Sequence, residues 1–143
     1  MGYYMRFIAT DQTETKLSTL EQALKELDAG YSIAASGELK HGDDLYGVVE
    51  INLPGDGLFD GEIGELKEFV EEVRGRRRGD VLKTLDEARA IIAVQVLWED
   101  RQPEATLQRL DPLWQWVISH RKGLLQADGE GYYDHSGLIL KVE

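Results

Sequence analysis

The chain has 143 residues, 27 acidic against 16 basic, a formal net charge of −11 and no cysteine. A chain of this length fits a single domain with a real core, and without cysteine it has neither a disulfide framework nor a thiolate metal site. The negative charge disfavours nucleic acid and anionic membranes, and the apolar stretch Tyr3–Ala9 is too short for a membrane span and is broken by Arg6, so a cytoplasmic protein is expected.

Aromatic and branched residues make Tyr3–Ala9 a strand. From Thr15 to Asp28, Leu17, Leu20, Leu24 and Leu27 fall on one helical face. Ser18 with Glu21 offers a capping box, Thr13 or Thr15 offers an earlier start, and Gly30 ends the helix. Tyr31, Ile33, Ala35 and Leu39 alternate as one strand, and Tyr46–Leu53 forms the next across the polar turn Lys40–Asp44, which together predict a hairpin. Pro54-Gly55-Asp56-Gly57 breaks the pattern before Ile63, Leu66, Val70 and Val73 mark a second amphipathic helix. A basic loop, Arg74–Gly79, follows, and Asp80 is a candidate cap for a short helical turn through Leu85. Ala90–Trp98 is apolar apart from Gln95, as a central strand requires.

To this point the order is βαββαβ, which predicts an α+β fold with a ferredoxin-like core: an antiparallel sheet carrying two helices on one face. A third long helix starts near Pro103, with Asp111-Pro112 as a kink or a restart, and Leu124–Val142 predicts a C-terminal β-hairpin. All of residues 1–143 is expected to form one α+β domain.

Familiar chemical motifs fail on their residues. Gly55–Gly64 follows a strand and opens a helix as a phosphate loop does, but Asp60 replaces a required glycine, and Asp56, Asp60 and Glu62 would repel a phosphate. The same stretch misses calcium-loop acids at Leu58 and Lys67. His41, His120 and His135 have no metal-ligand spacing. Asp134-His135-Ser136 cannot form a triad, because neighbours along an extended chain point to opposite faces. No catalytic residue, metal or cofactor is therefore assigned.

Charge and surplus apolar surface carry what remains. Between Glu38 and Glu72 eleven acids stand against Lys40 and Lys67. On the third helix, Leu107, Leu110, Trp114, Val117 and Ile118 form one stripe and Leu113, Trp116 and His120 form another, together covering roughly 200° of arc. The sheet and the tail with Tyr132 and Tyr133 would cover that arc, or Trp116 would mark an interface with a partner or a second copy in a homodimer. The sequence thus predicts a non-catalytic acidic protein-binding module, of inhibitor, immunity or regulatory type. Its basic partner would meet Asp43, Asp44, Asp56, Asp60, Glu62, Glu65, Glu68, Glu72 and Trp116. The alternative is a small-molecule binder or small enzyme with a pocket between sheet and third helix, lined by Tyr31, Tyr46, Trp98, Trp114 and His120.

Overall fold

Aromatic and branched runs place the strands, and apolar repeats of three to four residues place the core faces of the helices. In the computed structural model, which describes residues 2–143, β1 (Tyr3–Ala9) leads into α1 (Leu17–Leu27). Three strands follow, β2 (Tyr31–Ile33), β3 (Glu38–His41) and β4 (Asp44–Asn52), and then the helices α2 (Gly57–Glu71) and α3 (Arg78–Asp86). Next come β5 (Ala90–Val96), α4 (Pro103–His120) and the strands β6 (Gly123–Ala127), β7 (Gly131–Asp134) and β8 (Gly137–Lys141).

All eight strands join one sheet in the order β2-β3-β4-β5-β1-β6-β7-β8, and every pairing is antiparallel. The expected α+β class is found. A ferredoxin-like core with helices on one face is not what the strands build. The sheet is larger, and β5 sits between β4 and β1. The reason lies in β5 itself: Ala90, Ile92, Val94 and Val96 face one way and Ile91 and Ala93 the other, all buried. A strand apolar on both sides needs a helical layer on each.

One layer is α1 with α4. Leu20, Leu24, Leu110, Leu113, Trp114 and Val117 pack there on Phe7, Ile92 and Val94, forming the larger core. The other layer is α2 with α3, whose Phe59, Leu66, Val70, Val81 and Leu85 pack on Ile8, Ile91 and Ala93. Burying each such side chain contributes about 1.5–3 kcal/mol. The broad apolar arc of α4 is met by the sheet and α1; Trp116 and Ile118, at its margin, remain partly buried against the same core. The tail tyrosines divide between the layers because neighbours on a strand face opposite ways: Tyr133 packs on the α1–α4 core and Tyr132 on the other.

Five local expectations are corrected. The single strand Tyr31–Leu39 is two strands, β2 and β3, paired as a hairpin of their own. Gly37 makes the turn: its φ is +95°, and a Cβ there would lie 2.2 Å from the Val49 carbonyl oxygen, so no other residue fits. Helix α1 has Lys16, not a Ser18–Glu21 box, at its N-cap; Glu21 instead accepts a hydrogen bond from the Ile33 backbone N–H at 2.8 Å and ties the helix to β2. Helix α2 begins at Gly57, earlier than its first core residue, because the Asp56 side chain accepts from the Leu58 N–H. Helix α4 runs unbroken through Pro112. Pro112 has no N–H to donate to the Gln108 carbonyl, and Gln108 stands on the exposed side of the helix. The C-terminal hairpin is a three-stranded meander, β6-β7-β8.

Candidate functional site

Antiparallel register sets Arg6 of β1 opposite Gln126 of β6, and Gln126 opposite Tyr132 of β7. These three side chains form one row across the sheet, on the face that α2 covers. A charge in the middle of a buried strand must find partners. The Arg6 side chain, only 11% exposed, finds them in four places. Its Nε donates to Glu62 of α2, and its Nη1 donates to Gln126 Oε1 at 2.8 Å and to Asp128 Oδ1 at 2.7 Å. The guanidinium also stands over the Tyr4 ring, 5.0 Å from its centre. Asp128 is fixed in turn by the Gln126 amide at 3.0 Å and by the Tyr4 backbone N–H at 3.0 Å. Burial alone would loosen the Arg6 proton. The hydrogen bonds and charges of Asp128 and Glu62 outweigh that and hold it more firmly than usual.

Tyr132, at the end of the row, is 1% exposed, and its hydroxyl has no hydrogen-bond partner. Burial pushes its pKa well up, the Arg6 charge pulls it back and Asp128 pushes again, so the group stays a neutral phenol close to both charges. Trp114 Nε1 is also unpartnered, but it is sealed among Leu110, Leu113 and Val117 in the α1–α4 core. Tyr132 differs because it lines a cavity of about 300 Å³ between α2 and the meander. Arg6, Gln126 and Asp128 contribute to the same cavity, Leu66 and Phe69 form its helical side, and Glu65 and Glu143 stand on its acidic margin.

Helix α2 continues from this cavity to the surface. Leu58 and Phe69 are exposed at 63% and 51%, and eleven residues apart they lie within about 20° of each other round the helix. Glu65 falls between them on the same stripe, with Glu68 and Glu72 beside it, all exposed. Asp56 caps the helix and Asp60 lies in its first turn. The arginines that follow serve the fold in part: Arg78 Nη1 donates to the Glu71 and Val73 carbonyls at the end of α2, and Arg77 pairs with Asp80 at 2.5 Å.

The remaining sequence-selected residues are dispersed. Asp43 and Asp44 lie at the far end of β4 from Asp56, separated by roughly 26 Å of extended strand. Trp116, partly buried, stacks on His120 at 4.3 Å and 14°, and His120 Nδ1 lies 2.8 Å from the Trp116 carbonyl. Tyr31, Tyr46 and Trp114 are core residues at 3%, 7% and 3% exposure. The Tyr31 hydroxyl donates to the Arg109 carbonyl, and Trp98 leans on Tyr3. Tyr31, Tyr46 and Trp114 therefore share one packed core, with Trp98 at its edge and His120 outside it on the α4 surface.

Sequence reasoning selected Glu62 and Glu65 but missed Arg6, Gln126, Asp128, Tyr132 and Phe69. Two signals were present: an arginine amid the apolar run Tyr3–Ala9, and a phenylalanine off the core stripe of α2. Compared with protein-family models, curated proteins and solved structures, the chain matches none. Among the described residues no cluster of metal ligands occurs, and no helix is long and apolar enough to cross a membrane.

Proposed function

We propose that this chain is a non-catalytic binding module, of inhibitor or regulatory type, that engages a basic protein partner through the outer face of α2. The observation that carries the reading is the pairing along one face of α2 and its C-cap of two exposed apolar side chains, Leu58 and Phe69, with the exposed acids Glu65, Glu68 and Glu72. Apolar anchors ringed by charge of one sign suit a protein interface: the anchors lengthen the complex lifetime and the charges speed encounter. Asp43 and Asp44 add to the field from the far end of β4 without sharing the contact.

The test is affinity capture on the immobilised full chain at about 50 mM and 500 mM salt, a range over which exposed charges become screened. The reading expects basic proteins retained at low salt, released at high salt, and lost when Glu65→Lys, Glu68→Lys and Glu72→Lys are combined. Equal capture by wild type and triple variant, or no basic protein at either salt, overturns it.

A further inference from the structure

Resting on that reading, we propose that the cavity beneath Phe69 is a socket for one arginine side chain of the partner. Its volume of about 300 Å³ suits one extended side chain better than a folded ligand. The charge balance selects the sign. Glu62, Glu65, Asp128 and Glu143 contribute four carboxylates; among the described residues two cations answer them, Arg6, already held by Glu62, Asp128 and Gln126, and Lys141, which pairs with Glu143 at 2.8 Å. A carboxylate or phosphate entering there would meet uncompensated repulsion, whereas a cation adds the missing positive charge.

The lining also separates arginine from other residues. Leu66 and Phe69 supply apolar surface for a methylene stem, and the exposed Phe69 ring offers a face on which a planar guanidinium stacks. Tyr132 lines the same cavity, and its buried hydroxyl lacks a partner, a cost that native structures seldom leave in place without a use. An apolar guest would leave it orphaned. A guanidinium brings five N–H donors in a rigid fork and serves Tyr132 and the carboxylates at once, while a lysine ammonium neither stacks nor divides its donors that way.

The experiment titrates the isotope-labelled full chain with N-acetylarginine amide, with its uncharged isostere N-acetylcitrulline amide, and with a short arginine-rich peptide, following backbone amide shifts. The socket expects the arginine compound to saturate shifts at Phe69, Asp128 and Tyr132, with citrulline at least tenfold weaker. Tyr132→Phe and Glu65→Gln should each weaken arginine binding several-fold while leaving the rest of the spectrum in place. Equal binding of arginine and citrulline, or an unchanged affinity in both variants, overturns the socket. Peptide shifts along Glu65–Glu72 with none at Tyr132 overturn it too but leave the acidic face of α2 standing. No shifts from any probe remove both.

Discussion

The two faces of the sheet solve the same packing problem with different chemistry. Under α1 and α4 the core is a continuous apolar layer from Leu39 through Val94 and Phe7 to Leu125. Under α2 the layer is interrupted by the row Arg6, Gln126 and Tyr132, with Asp128 and Glu62 closing a partly buried ion cluster and a cavity beside it. A polar row costs desolvation that apolar packing would avoid. The α1–α4 side carries its own buried arginine, Arg121, paired with Asp11 and Thr15 at the C-terminal end of α4, so the faces differ in where the polar groups stand: at a helix end on one, and mid-strand beneath the helix bearing exposed Leu58 and Phe69 on the other.

The largest effect expected from this contrast lies on the α1–α4 side. Leu110→Ala, at a fully buried position, should cost about 2–5 kcal/mol in urea unfolding; a loss under 1 kcal/mol would show that face to be loosely packed. On the other face, Arg6→Met removes the cation shared by Glu62 and Asp128. Because those carboxylates are 30% and 34% exposed, water recovers part of the loss, and a decrease of about 1–3 kcal/mol is expected. A decrease as large as that of Leu110→Ala would mean that the polar row is as structural as the core.

Smaller changes sharpen the comparison. A Cβ on Gly64 of α2 meets nothing within 4 Å, so Gly64→Ala should raise stability by about 0.5–1 kcal/mol, read from the same unfolding curves. Tyr132→Phe deletes an unpartnered buried hydroxyl and should leave stability unchanged or raise it by up to about 1 kcal/mol; a clear loss would mean that the hydroxyl has a partner after all. The least effect concerns pH. The Glu130 carboxylate accepts from the Tyr133 hydroxyl at 2.6 Å, and with burial this pushes the Tyr133 pKa up from 10.0 to about 12. Its contribution is therefore complete below pH 10 and disappears as pH rises through about 12. Absorbance at 295 nm should show this phenol titrating late, and stability should fall less steeply above pH 10 in Tyr133→Phe than in wild type.

Much of the fold follows from short-range pattern. The seven-residue run of β1, the leucine spacing of α1, the doubly apolar β5 and the Pro103 start of α4 were all readable, because each is a property of neighbouring residues. Gly37 was passed over because alternation from Tyr31 to Leu39 masks a turn that only its positive φ reveals. The sheet order was not readable: nothing near Ala90 says that β5 will enter between β4 and β1, although its two apolar faces imply cover on both sides. The site was half visible. The acids of α2 are local, whereas the meeting of Arg6 with Glu62 and Asp128 depends on long-range register and on where α2 crosses the sheet.

The place of β1 has a consequence for how the chain reaches this state. Tyr3 pairs with Val96 and Met5 with Ala127, so β1 finds both neighbours only after the long stretch through β6 has been made. Contacts so distant in sequence make for slow folding, and until β5 and β6 emerge from the ribosome the opening strand has unsatisfied edges on both sides. The nascent chain is then an open template for wrong pairing, and the centre of the sheet closes later than the β2-β3-β4 edge, whose strands are consecutive in sequence.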